Sequence, residues 1–172
     1  MLLQKEHLES INKEKVTYIK DFTQLNRIYD FNLISSLMEE NNLTILSKTN
    51  VSNLKNVFQM CKVSNCLKEF TTFFDFLSKL FKYERDPKDE IDLFFSLTTQ
   101  IGDTHVDTED VFIIGLTGKT IYRFYEEINT DYCINKGDMI FIPKNIKHKA
   151  IGLTPRIIAS IGFFGKKIGK NL

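Results

Sequence analysis

The spacing of apolar and polar residues changes near residue 90 of the chain. Before that point, apolar residues recur at intervals of three and four, which is typical of amphipathic helices. The segment LKEFTTFFDFLSKLFKY predicts the longest of them, followed by a break at Pro87. Its predicted buried stripe consists of Leu67, Phe70, Phe74, Leu77 and Phe81. DFNLISSLMEENN predicts an earlier helix, with Asp30 as its N-cap and two asparagines at its end.

Three shorter elements are predicted in the same region. KVTYIKDF (15–22) alternates apolar and polar side chains, which suits a short strand. LTILS (43–47) predicts a second strand, and the spacing of Leu54, Val57 and Phe58 predicts a short helix. Residues 1–90 therefore form a mostly helical lead-in.

From Ile91 onward the apolar segments are short, prone to β structure and separated by turn residues such as Gly118 and Gly137-Asp138. The segments are IDLFFSLTTQ, DVFIIGL, KTIYRFYEE, YCINKGDMIFIP, KAIGL and RIIASIGFF. Five or six strands at this spacing favour an antiparallel sandwich or barrel. Each lead-in helix has one apolar face that needs a sheet to cover it. We therefore expect residues 1–172 to form a single domain, with 1–90 packed on the strands of 91–165.

Composition narrows the class of protein. The 172 residues are 42% hydrophobic and 26% charged, with a formal net charge of +1, so nothing in the overall charge favours nucleic acid or an anionic membrane as a partner. The longest apolar runs are too short for a membrane span, and MLLQKEHLES lacks the apolar core of a signal peptide. We therefore expect a cytoplasmic protein. Three cysteines without framework spacing predict buried thiols rather than disulfides. The oligomeric state stays open.

The three histidines carry the candidate chemistry. Residues two apart in a strand point to the same face, so His105 and Asp107 can face the interior together. His148 follows the strand that ends at Pro143 and can supply a third ligand. Two histidines and one carboxylate form the facial triad that binds non-haem Fe(II) in oxygenases. A His-X-Asp tripeptide alone also occurs by chance, and His7, in a polar stretch, is predicted to be exposed.

Two segments resemble the metal motifs of the JmjC-type cupin oxygenases. THVDTEDVFIIGLTGKTIYRF has His-X-Asp, then Asp110, Phe112 and the strand-closing Gly118. INKGDMIFIPKNIKHKA is similar to the second motif, and RIIASIGFF resembles the strand after the distal histidine. The resemblance spans nearly the whole chain and is specific from Asp92 to Phe163. The resemblance implies a mainly β fold with N-terminal helices, the double-stranded β-helix (jelly roll, cupin). It also implies an enzyme that uses Fe(II) and 2-oxoglutarate.

The cation for the distal carboxylate of 2-oxoglutarate is ambiguous. The family places a basic residue two positions after the strand-closing glycine, but here that position is Thr120, and Lys119 comes one residue early. Arg156 is the alternative, because it shares a strand face with Ser160 and because arginine binds a carboxylate in a bidentate way. We predict Arg156 as the anchor, with Ser160 and Tyr122 as hydroxyl partners. The competing interpretation makes Arg156 a surface residue.

These patterns favour an Fe(II)- and 2-oxoglutarate-dependent dioxygenase. It would hydroxylate a C–H bond of a small molecule, a peptide or a protein side chain. The intact carboxylate of Asp107 favours oxidation over halogenation within the family that the motifs resemble. Two alternatives stay open: a cupin isomerase or 2-oxoglutarate-independent dioxygenase with the same metal ligands, and a cupin that only binds a ligand.

Overall fold

The structure is a computed structural model that describes residues 3–23, 29–40, 61–64, 68–97, 99–125, 129–165 and Lys167. The elements in chain order are α1 (Lys5–Asn12), β1 (Thr17–Ile19), α2 (Phe31–Glu40), β2 (Cys61–Ser64), α3 (Lys68–Phe81), β3 (Glu90–Ser96), β4 (Gln100–Ile101), β5 (Asp110–Thr117), β6 (Thr120–Phe124), β7 (Thr130–Ile134), β8 (Met139–Ile142), β9 (His148–Gly152) and β10 (Arg156–Phe163). The strand predicted over 43–47 and the helix predicted near Leu54 lie outside the described residues.

The strands form two antiparallel sheets. The larger sheet has the order β1-β8-β5-β10-β3-β2, and the smaller has the order β4-β9-β6-β7. Alternate side chains of β5 point to opposite faces of the larger sheet: Val111 and Ile113 face the smaller sheet, whereas Phe112 and Ile114 face the helices. The predicted mainly β fold with N-terminal helices is confirmed. The helices of the lead-in cover the face of the larger sheet that carries Phe112 and Ile114.

Helix α3 covers the larger sheet with the phenylalanine-rich stripe that the sequence predicts. Its four described members, Phe70, Phe74, Leu77 and Phe81, are at most 4% exposed. The ring of Phe74 stacks on Phe163 with centroids 4.5 Å apart, and Phe81 stacks on Phe112 at 5.5 Å. Burial of these rings, each of which removes a large apolar area from water, fixes α3 to the sheet.

The end of α3 differs from the prediction. The helix ends at Phe81, well before Pro87, because Lys82 adopts a left-handed conformation with φ of 55°. The backbone N–H of Tyr83 then donates to the carbonyl of Ser78 at 2.9 Å, which caps the last turn. The predicted N-cap is confirmed, since the Asp30 side chain accepts a hydrogen bond from the backbone N–H of Leu33 at 2.9 Å.

Two predicted strands are each divided in two. IDLFFSLTTQ forms β3 and β4, which lie in different sheets, and YCINKGDMIFIP forms β7 and β8. The buried carboxylate of Asp138 holds the β7–β8 turn by accepting hydrogen bonds from Tyr18 and Asn135. Strand β2, an edge strand, was not predicted. Cys133 corrects the expectation of buried thiols, because its side chain is exposed and free.

Each helix in the described part of the chain is too short or too polar to cross a bilayer.

The single-domain arrangement stays a prediction with a direct test. A fragment of residues 91–172 would expose Phe112, Phe141 and Phe163, which α3 and its neighbours now cover. We expect the fragment to aggregate or to lack a cooperative thermal transition, because an exposed apolar sheet face promotes association. Size-exclusion chromatography and circular dichroism, with the full chain as control, provide the measurement. A monomeric fragment that melts cooperatively would instead indicate two domains.

Candidate metal centre

His105, Asp107 and His148 come together at one end of the smaller sheet. The Nε2 atom of His105 lies 3.6 Å from Oδ1 of Asp107, and Nε2 of His148 lies 3.5 Å from Oδ2. One ligand atom from each residue falls within 4.8 Å of the other two. The His148 side chain is 3% exposed, whereas that of His105 is 50% exposed. One side of the cluster is therefore anchored in the interior, and the other is open to small molecules.

The backbones of His105 and His148 pair directly. Each N–H donates to the other residue's carbonyl at 2.9 Å, which forms an isolated antiparallel bridge. His105 and Asp107 thus lie in the connection between β4 and β5. The prediction that both residues belong to a strand is therefore wrong. The connection is nevertheless extended, and Val106 between them points outward with 51% exposure. The two ligand side chains consequently share one face, as predicted.

The hydrogen bonds of the two imidazoles fix their tautomers. Nδ1 of His105 lies 2.9 Å from the carbonyl of Asp103, and Nδ1 of His148 lies 2.9 Å from the carbonyl of Ile146. A carbonyl only accepts, so each Nδ1 carries a proton, and in the neutral imidazole the Nε2 lone pair then faces the cluster. Burial lowers the pKa of His148, which keeps this imidazole in the neutral form that ligates metals.

The loop before His148 supports the cluster through its backbone. Asn145 has a left-handed conformation with φ of 64°, and its N–H donates to the carbonyl of Asp107 at 2.8 Å. The sequence analysis did not identify this contact. The residue type could have indicated a left-handed position here, because asparagine adopts positive φ more readily than most residues.

Arg156 is fully buried, with 0% exposure, so the interpretation of this residue as a surface arginine is wrong. Its Nε, Nη1 and Nη2 atoms have no hydrogen-bond partner in the described part of the structure. The buried Oγ1 of Thr120 is unpartnered in the same way. Burial lowers the pKa of Arg156, yet arginine remains charged at neutral pH. Among the described residues this buried cation thus has no hydrogen-bonded anion, an arrangement that is costly unless a ligand completes it.

Gly152 makes room for this guanidinium. A Cβ atom at Gly152 would lie 1.0 Å from Nη1 of Arg156. Gly152 pairs with Thr120 across β9 and β6. The sequence analysis missed Gly152, although its position four residues after His148 places it on the same face of β9.

Tyr122 lies near His148 and interacts electrostatically with both Arg156 and Asp107. Its ring centroid is 6.3 Å from that of His148, and the side chain is buried. Burial raises the pKa of Tyr122 above its usual range, the Arg156 charge opposes this shift, and the Asp107 charge adds to it. The tyrosine therefore interacts electrostatically with Arg156 and with Asp107.

The remaining two candidates differ from Thr120 and Tyr122 in exposure and in position along the strand. Lys119 is exposed at the start of β6. Ser160 is half-buried and pairs with Asp92 of β3. Four residues separate Ser160 from Arg156, which corresponds to about 13 Å along a strand. Thr120 and Tyr122 are thus buried next to Gly152 or within electrostatic range of Arg156, whereas Lys119 is exposed and Ser160 lies farther along β10.

No protein-family model and no curated protein matches the chain, but solved structures do. The chain is similar to YcfD, a ribosomal oxygenase from Escherichia coli solved in complex with cobalt and 2-oxoglutarate; the identity is 18%, the TM-score is 0.65, and the match covers 98% of this chain and 53% of that chain. It is also similar to SnoK, a non-heme alpha-ketoglutarate-dependent carbocyclase from nogalamycin biosynthesis, with 11% identity, a TM-score of 0.62 and coverage of 94% and 83%.

These similarities concern the fold. The chain spans about half the length of the ribosomal oxygenase that it matches, and the identities are low. The shared architecture nevertheless extends over nearly the whole of this chain, from the helical lead-in to β10. The resemblance to the JmjC-type cupin oxygenases that the sequence motifs indicate is thereby confirmed at the level of the fold.

Proposed function

We propose that this chain is an Fe(II)- and 2-oxoglutarate-dependent oxygenase. The observation that carries the proposal is the pairing of two features in one interior: a cluster of two imidazoles and one carboxylate, and an unpartnered buried guanidinium. The first feature suits Fe(II), because a facial triad leaves coordination positions open. The second suits the distal carboxylate of a dicarboxylic co-substrate.

His105, Asp107 and His148 would hold the metal. Both Nε2 atoms already present lone pairs, so metal binding requires no change of tautomer. When bound, Fe(II) together with 2-oxoglutarate and dioxygen supplies the chemistry that oxidises a C–H bond. The protein orients the ligands, keeps His148 out of water and leaves the His105 side open to the substrate.

Arg156 would anchor the co-substrate. A carboxylate beside its guanidinium would satisfy donors that are now unpartnered, and the Thr120 hydroxyl is available for a further hydrogen bond. Tyr122 would border the co-substrate between the two ends of the site. Ser160 is left out of this anchor because of its separation along β10, and Lys119 because its side chain is exposed.

The substrate is proposed only as a class. A small molecule, a peptide or a protein side chain would approach from the exposed His105 side. The two similar structures are of a ribosomal oxygenase and of a carbocyclase from nogalamycin biosynthesis. We further propose a cytoplasmic location, which the free thiol of the exposed Cys133 supports because exposed thiols persist in reducing compartments.

The first prediction concerns the metal. Replacing His105 or His148 with alanine should abolish binding of Fe(II), or of Co(II) as its substitute, at micromolar concentrations, because each change removes one of three ligands. His7→Ala is the matched control: this third histidine belongs to the N-terminal capping box of α1, so its loss should leave metal binding intact. Anaerobic titration followed by metal analysis gives the measurement. A wild-type chain that binds no divalent metal would refute the proposal.

The second prediction concerns the anchor. Arg156→Met should weaken 2-oxoglutarate binding to the metal-loaded protein by roughly ten- to a hundredfold, because it removes charge-assisted hydrogen bonds worth about 1.5–3 kcal/mol. The same change should leave the thermal stability of the metal-free protein equal or higher, because it removes an unpartnered buried charge. Calorimetric titration and thermal melts test the two effects separately.

Lys119→Met serves as the control for the anchor, since it removes an exposed cation from the start of β6. We expect wild-type affinity for 2-oxoglutarate in this variant. The opposite pattern would mean that Lys119 is the anchor. If neither substitution matters while metal still binds, the metal-dependent enzyme would be one that does not use 2-oxoglutarate.

A further inference from the structure

The carboxylate of Asp110 connects three parts of the chain beside the candidate metal centre. Its side chain is buried, with 7% exposure. Oδ2 accepts a hydrogen bond from the hydroxyl of Tyr83 at 2.6 Å, and Oδ1 accepts one from the backbone N–H of Lys144 at 3.0 Å. The ammonium of Lys167 lies 3.5 Å from Oδ2. Asp110 therefore joins the residues after α3, the loop before His148 and the segment after β10.

The loop that this carboxylate holds also contacts two of the three metal-ligand residues. Lys144 is followed by Asn145, whose N–H donates to the carbonyl of Asp107 at 2.8 Å. The next residue, Ile146, accepts the Nδ1 proton of His148 at 2.9 Å. Three consecutive residues thus carry one contact each to Asp110, Asp107 and His148. A displacement at Lys144 would be transmitted through two peptide units to both ligands.

We propose that Asp110 is a positioning residue of the metal centre: by fixing the loop 144–146, it holds Asp107 and His148 in the geometry that binds the metal. This inference rests on the proposed function. The hydrogen bond from Tyr83 is a persistent one, because burial and the adjacent Asp110 charge raise the pKa of Tyr83 above its usual range and the phenol keeps its proton.

Asp138 provides a matched comparison within the same fold. This carboxylate is also buried, with 2% exposure. It accepts hydrogen bonds from the hydroxyl of Tyr18 and from the backbone N–H groups of Asp21 and Asn135, all at 2.9 Å. Asp138 directly precedes β8, whereas the loop 144–146 follows the other end of that strand. Its neutralisation should therefore cost stability without disturbing the metal ligands.

The test compares Asp110→Asn with Asp138→Asn in the full chain. Both variants should lower the melting temperature of the metal-free protein. Only Asp110→Asn should weaken Co(II) binding, by about tenfold or more, as expected for loss of a residue that orients ligands. Only this variant should also change the visible absorption spectrum of bound Co(II). Wild-type affinity and spectrum in Asp110→Asn, or equal losses in the two variants, would overturn the proposal.

A second pair of variants covers the case in which Asp110→Asn does not fold. Tyr83→Phe removes one hydrogen bond to Asp110 and keeps the ring, which stacks on Phe163 at 4.4 Å. Tyr18→Phe removes the corresponding bond to Asp138. Weaker Co(II) binding in Tyr83→Phe than in Tyr18→Phe supports the proposal, and equal binding contradicts it.

Hydrogen exchange separates this inference from the proposed function. The amides of Asn145 and His148 are hydrogen-bonded in the structure. In the metal-free protein they should exchange faster in Asp110→Asn than in Asp138→Asn, because the hydrogen bond that holds Lys144 loses its charge assistance and the ion pair with Lys167 is lost. A wild-type protein that binds no Co(II) would refute the proposed function. Unchanged exchange at these two amides in Asp110→Asn would refute the role of Asp110.

Discussion

The reciprocal backbone hydrogen bonds between His105 and His148 are the interaction on which the rest of the site depends. Directly opposed residues of an antiparallel pair place their side chains on the same face at close distance. The two imidazole centroids are accordingly 4.5 Å apart. Because His148 also begins β9, this bridge attaches the connection that carries Asp107 to the smaller sheet. The candidate metal ligands are thus positioned by strand pairing.

The buried charged side chains differ in whether the chain itself supplies their hydrogen-bond partners. The carboxylates of Asp110 and Asp138 each accept several hydrogen bonds from neighbouring segments, so their burial is compensated within the chain. Arg156 is buried as deeply, but its guanidinium donors have no partner among the described residues. The first arrangement stabilises the fold, whereas the second leaves part of the hydrogen-bonding capacity for a molecule from outside. On the proposed function, this contrast separates carboxylates that the chain itself compensates from a cation that a co-substrate would compensate.

Local patterns in the sequence predicted much of this architecture. Helix α3 and the short strands could be identified because each element buries one face. The apolar residues of that face recur at the period of the element. The grouping of His105, Asp107 and His148 was also predictable, although the first two lie in a connection. Features that depend on distant contacts were not predictable: the edge strand β2, the attachment of Asp110 to Lys144, and the end of α3 at a left-handed Lys82. The metal ligands were easier to predict than their supports, because a ligand is recognisable by residue type.

The absence of a side chain at Gly152 has a consequence for how this chain can vary. The guanidinium of Arg156 occupies the volume that a Cβ would need, so residues 152 and 156 are sterically linked although neither touches the metal ligands. A side chain at position 152 would displace the guanidinium, so a substitution of Gly152 should disturb the position of Arg156. A chain with its cation at position 120, on the neighbouring strand, would have no such restriction. Moving the charge from β10 to β6 would therefore release residue 152 from this restriction, so the two placements of the cation differ in the side chains that they permit on β9.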